Sequence, residues 1–130
     1  MFDSIGTFKY SESPYKLVVL VDQDISDYYR SMIPKYNLVG RQKFPAHITV
    51  VRNETPINLN QWGLHNNEKI NFHYYNTAHN DDTYWWLEVE SKTLEDMRNK
   101  LGLPNTSEFT RSPDGRHNFH ITIGNTKKAS

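Results

Sequence analysis

"AHITVV" (46–51) and "FHITIG" (119–124) carry the same tripeptide, His-Ile-Thr, once near the middle of the chain and once near its end. Each copy sits in a short apolar run rich in β-branched residues, which predicts two strands. Strand side chains alternate in direction, so His47 and Thr49 point to one face while Ile48 and Val50 point to the other. In the second copy His120 and Thr122 share a face, and Phe119, Ile121 and Ile123 share the opposite one. Each strand thus has an apolar side that can build a core and a side that bears a His/Thr pair. A single His-x-Thr on a strand is most often an ordinary surface or core pair. Two copies with the same facing pattern ask for a chemical reason.

The surrounding segments fill in an α+β chain. "YKLVVLV" (15–21) reads as a buried strand, and the residues after it place Ile25, Tyr28, Tyr29 and Met32 at helical spacing. Asp22, Asp24 and Asp27 gather at the start of that helix, where its dipole favours them, and Pro34 ends or bends it. Beyond a polar stretch (53–67), "KINFHYY" (69–75) alternates as a half-buried strand, and "TYWWLEVE" (83–90) is expected to return against it in a hairpin. In the second of these, Trp85, Leu87 and Val89 fall on one face and Tyr84, Trp86 and Glu88 on the other. "KTLEDMRNKLGL" (92–103) reads as a helix with Leu94, Met97 and Leu101 on one side and Gly102 as its stop signal. The expected order is β-α-β-β-β-α-β, with room for extra edge strands, in a single α+β domain over residues 1–130 with helices covering one face of the sheet.

Composition narrows the function classes. The 130 residues include six Phe, three Trp and eight Tyr, enough large apolar area for one compact core despite 36% hydrophobic content. Lys and Arg balance Asp and Glu at fifteen each, which argues against a basic surface that tracks long nucleic acid but leaves room for a local anion site. With no cysteine there is no disulfide framework, thiolate nucleophile or thiolate metal site. The start "MFDSIGTFKY" lacks a basic region followed by an apolar stretch, and "LVVLV" (17–21) is too short to span a bilayer, so a soluble, cytoplasmic protein with no membrane partner is expected.

Two His/Thr pairs converging from neighbouring strands have a definite chemical use. One imidazole removes a proton from an attacking hydroxyl or water, the other protonates the leaving oxygen, and the threonine hydroxyls donate to phosphate oxygens. An imidazole has an ordinary pKa of about 6.5 and can take either role near neutrality. The scheme calls for no metal and no cofactor. The other histidines, His65, His73, His79 and His117, lack metal-ligand spacing on a common helix, so no metal site is expected. His117, three residues before His120, is expected on the wrong face if the strand extends that far.

The paired motifs "HITV" and "HITI", 73 residues apart in β-α-β-β-β-α-β order, resemble those of the two-histidine (2H) phosphoesterase superfamily, whose pattern is His, any residue, Thr or Ser, then an apolar residue. The resemblance implies a two-lobed antiparallel sheet with helices on the outer face and a central groove, and metal-independent cleavage of phosphodiesters. His47, Thr49, His120 and Thr122 would be the catalytic tetrad. The small size, with "ESPYKLVVLV" (12–21) and "FPAHITV" (44–50), is similar to phage-encoded members that degrade cyclic di- and trinucleotide signals of CBASS-type antiviral immunity. That would place the chain in a host cytoplasm, with a small nucleotide as partner and no long nucleic acid. Two alternatives stay open: an enzyme acting on 2',3'-cyclic phosphate ends of RNA, and a module that sequesters a nucleotide without cleaving it. Tyr15 and Trp86 are candidates to stack a base, and Arg52 and Arg116 to contact phosphate. Oligomeric state is not legible.

Overall fold

The computed structural model describes residues 1–127, so the last three residues of the expected 1–130 domain lie outside them. Seven strands form one antiparallel sheet: β1 (Phe2–Ser11), β2 (Lys16–Leu20), β3 (His47–Val51), β4 (Lys69–Tyr74), β5 (His79–Asn80), β6 (Tyr84–Glu90) and β7 (Phe119–Asn125). Helix α1 (Gln23–Ser31) lies between β2 and β3, and α2 (Lys92–Lys100) between β6 and β7. The strand order is β4-β1-β2-β3-β7-β6-β5, and a further pairing of β4 with β6 closes six strands into a barrel. The expected α+β antiparallel sheet is thus present, with the two His-Ile-Thr strands as direct neighbours at its centre.

Alternation along each strand explains the core. Phe8, Leu17, Val19, Ile48, Ile70, Phe72, Leu87, Val89, Phe119, Ile121 and Ile123 share one face and meet in a single buried cluster. Both helices add to that cluster. Asp22 caps α1 by accepting from the Asp24 N–H, and Ser91 caps α2 by accepting from the Leu94 N–H. Leu94 and Leu101 are buried and Met97 packs beside them, as the helical spacing predicts. Gly102 has φ +84°, the left-handed conformation that ends such a helix. In α1 the expected face is rotated: Ile25 and Tyr29 pack inward, but Tyr28 and Met32 are exposed and Ser26 is the buried residue.

The expected hairpin of 69–75 with 83–90 forms only in part. β4 runs mainly beside β1, a strand absent from the expected order, and meets β6 only at its end, through His73–Glu90 and Tyr74–Val89. The short partner that folds back on β6 is β5, at His79–Trp86 and Asn80–Trp85.

The two motif strands share a local irregularity. In the β2–β3 ladder Leu17 faces Val51 and Val18 faces Thr49, which leaves Val50 as an extra residue. In the β6–β7 ladder Trp85 faces Gly124 and Trp86 faces Thr122, which leaves Ile123 extra. Each strand thus bulges immediately after its threonine, a device that bends a strand and re-aims its side chains. An arginine from a helix takes up each freed carbonyl: Arg98 of α2 donates to Val50 O at 2.7 Å, and Arg30 of α1 donates to Ile123 O at 3.1 Å. The helix of each half therefore braces the motif strand of the other. Arg98 is fully buried and also grips Glu54 through two bonds, at 2.8 and 2.7 Å.

Candidate active site

The register of β3 against β7 decides how the tetrad sits. Ile48 faces Ile121, so in this antiparallel pair His47 stands opposite Thr122 and Thr49 opposite His120. All four side chains occupy the sheet face opposite the apolar cluster. The imidazoles are diagonal neighbours, roughly 7–8 Å apart at the backbone, and each lies directly across from the other copy's threonine. Sequence identity between the copies thus becomes an approximate two-fold arrangement around Ile48 and Ile121.

Both imidazoles are fixed in the same tautomer. His47 Nδ1 lies 2.7 Å from the carbonyl oxygen of Pro45, and His120 Nδ1 lies 3.1 Å from that of Thr110. A carbonyl only accepts, so the proton sits on Nδ1 and leaves Nε2 as the reactive nitrogen. Burial pushes the pKa of both below the ordinary histidine value. For His47 the Pro45 bond opposes that shift, while the charges of Lys16 and Arg52 add to it. For His120 the Thr110 bond opposes it, His47 adds to it, and the Asp114 carboxylate works the other way. The effect of His47 on His120 fits their diagonal placement.

The remaining candidates fall differently. Arg52 follows β3 and is exposed beside His47, where its charge is felt. Arg116 is exposed in the loop before β7, its Nε 3.9 Å from the Asp114 carboxylate. Trp86 stands on the His/Thr face, opposite Thr122, but is only 2% exposed, and stacks with His79 at 6.2 Å between ring centres. Its ring is packed into the sheet and is not an open floor for a base. Tyr15 packs edge-on against Trp62 at 5.1 Å, in an aromatic group with Tyr10 that lies against the core. It does not join the tetrad, because its turn directs the ring onto Trp62.

Two groups near the tetrad were not foreseen. Phe44, three residues before His47, is 62% exposed and flanked by Lys16 and Lys43, whose ammonium groups lie 5.7 and 5.9 Å from its ring centre. Its position in the basic loop before the motif was the available signal. On the His120 side, Glu88 faces His120 across the β6–β7 ladder and is 3% exposed. His117 pairs with Glu88 through Nε2 and reaches Glu90 through Nδ1 at 3.6 Å. β7 begins at Phe119, so strand alternation does not govern His117, and the expected wrong-face placement is corrected. Burial and the neighbouring Asp114 raise the Glu88 pKa, whereas His117 lowers it. Burial also opposes ionisation of Asp114, yet bonds involving Ser112, the Arg116 N–H and Glu88 hold its pKa down to about 2.

Residues 18–130 match the family described as "Swiss Army Knife, 2H phosphoesterase domain" (2H-SAK), a span that contains both motif strands and both helices. The chain belongs to this 2H phosphoesterase family, which supports phosphodiesterase activity. No curated protein and no solved structure matches it. Among the described residues no helix is long and apolar enough to cross a membrane.

Proposed function

We propose that the protein cleaves cyclic nucleotide or short cyclic oligonucleotide signals, with His47 as general base and His120 as general acid. The observation that carries this reading is the tetrad geometry: two imidazoles with their Nδ1 protons held by carbonyls, set diagonally, each across from the other's threonine. His47 lies near Lys16 and Arg52, which favour its neutral form and suit it to accept a proton. His120 then carries the donor role.

On a 3',5' linkage with a neighbouring 2'-hydroxyl, His47 takes the hydroxyl proton as O2' attacks phosphorus. The bond from phosphorus to O5' breaks, and His120 protonates O5'. The products are a 5'-hydroxyl and a 2',3'-cyclic phosphate, which water can open by the same pair with roles reversed. Thr49 and Thr122 donate hydrogen bonds to the non-bridging oxygens, whose charge grows in the transition state. None of these steps uses a metal.

Support for a small cyclic substrate comes from the surroundings of the tetrad. Neutral overall charge does not favour a long polyanion. Lys16, Lys43 and Arg52 give a local positive rim, and exposed Phe44 offers a face for a base. Such an activity is the one a phage would use to evade CBASS-type immunity.

The test incubates purified protein, in EDTA, with cyclic dinucleotides, cyclic trinucleotides, 2',3'-cyclic mononucleotides and RNA ending in a 2',3'-cyclic phosphate. Cleavage of the cyclic oligonucleotides, absent in His47→Ala and in His120→Ala, is expected. Turnover confined to RNA ends would replace the substrate assignment, and tight binding without turnover would make the protein a sequestering module.

A further inference from the structure

Three segments distant in sequence bring metal-ligating groups together beside the tetrad. His79 comes from β5, Glu88 from β6 and Asp114 from the loop before β7, and one ligand atom of each lies within 4.8 Å of the others. His79 Nε2 and Glu88 Oε1 are 3.5 Å apart. In a tetrahedral zinc site, bonds of about 2.0–2.2 Å put neighbouring ligand atoms at roughly this spacing. A second observation points the same way: Glu88 is 3% exposed, and its Oε1, the atom nearest His79, accepts no hydrogen bond from a backbone N–H or a hydroxyl, its neighbours being the His79 imidazole and the Asp114 carboxylate that a cation would share with it. A buried carboxylate oxygen without a donor is costly, and a cation satisfies it. His117, already paired with the other Glu88 oxygen, stands next to the cluster as a further nitrogen donor.

We propose that His79, Glu88 and Asp114 bind a divalent transition-metal ion of the zinc type, and that this ion fastens the 104–118 loop to the sheet on the His120 side of the site. The donor set, one imidazole and two carboxylates with a second imidazole at hand, suits zinc better than the all-oxygen coordination of calcium or magnesium. The loop it holds supplies the Thr110 carbonyl that orients His120, so the ion supports the site without entering the proton transfers.

The test uses the full chain stripped with EDTA and titrated with zinc chloride, read by calorimetry, by thermal melting and by trypsin cleavage after the exposed Arg111 and Arg116. Saturable binding of one ion per chain, a raised Tm and slower cleavage at those arginines are expected. His79→Ala and Asp114→Asn should each weaken zinc binding at least as much as loss of an outer-shell partner does, about 10–100-fold. His73→Ala, at an exposed histidine outside the cluster, should leave it unchanged. Absence of saturable binding, or binding indifferent to both cluster variants, overturns the site. Binding that leaves the cleavage rate unaltered overturns the fastening role. None of these readouts depends on phosphodiesterase activity, so failure here is distinct from failure of the proposed function.

Discussion

The two His-Ile-Thr strands are alike in letters, facing, tautomer and bulge, and differ in what surrounds them. His47 stands among cations, with Lys16 and Arg52 close enough to disfavour its charge. His120 stands among carboxylates and imidazoles, with Glu88 across the ladder and His117 and Asp114 close to Glu88. The facing of each His/Thr pair comes from strand alternation, and in the proposed mechanism the pairs supply two proton-transfer groups. The differences come from loops and neighbouring strands, and on the proposed reading they are what separates those groups into base and acid. A duplicated motif thus sets where the imidazoles are, and the proposal assigns their separate roles to their unequal neighbours.

The largest expected effect concerns what the copies share. His47→Ala and His120→Ala should each lower kcat/KM by roughly 10²–10⁴, measured on the substrate that the panel identifies. A variant that retained full activity would break the equivalence of the two strands.

The bracing arginines come next. Arg98 is fully buried and bound to Glu54, Val50 O and Pro104 O, whereas Arg30 is partly exposed and pairs with Asp27. Arg98→Ala leaves Glu54 without its partner and should destabilise by about 3–5 kcal/mol. Arg30→Ala should cost about 1–3 kcal/mol, the range for a carbonyl left unsatisfied. Urea unfolding of the two variants measures the difference, and equal losses would show that the two braces are equivalent. Of a size comparable to the Arg30 loss, Thr49→Val and Thr122→Val should each reduce kcat by about a hundredfold with a modest change in KM, because the hydroxyls act on charge that develops in the transition state.

The finest distinction is in pH dependence. Both histidines have folded pKa values below the ordinary value of about 6.5, so the unfolded chain binds more protons between that value and the lowered ones. Their contribution to stability is therefore present above about 6.5 and is lost as pH falls through the folded pKa values. Activity should follow a bell with its optimum on the acid side of neutrality, the base setting the acid limb and the acid the alkaline limb. Lys16→Gln removes a cation that favours neutral His47. It should move the acid limb to higher pH by a fraction of a unit and leave the alkaline limb in place. A shift of the alkaline limb alone would exchange the two roles.

Strand periodicity made the His/Thr faces legible because it is a local rule, and the Gly102 stop of α2 followed a local rule as well. β1 escaped because exposed Ile5 and the glycine at Gly6 interrupt its alternation of Phe2, Phe8 and Tyr10. Gly6 is required there by a close approach: a Cβ would come within 2.2 Å of Val19 Cγ1. Closure of the barrel rests on two residue pairs between the ends of β4 and β6, which no periodicity announces. Trp86 was placed on the correct face, but its burial depends on tertiary packing, as does the engagement of Tyr15 with Trp62. The His79, Glu88 and Asp114 cluster was hidden for the same reason, since its members share no element.

The claim that one imidazole gives and the other takes a proton across a single phosphodiester is tested most directly by a double-variant cycle. Single-turnover cleavage is measured for His47→Ala, His120→Ala and the pair together. Groups that act as a unit lose most of their effect with the first removal, so the double variant should be little slower than the slower single one. Losses that multiply, as for two independent groups, would contradict the account.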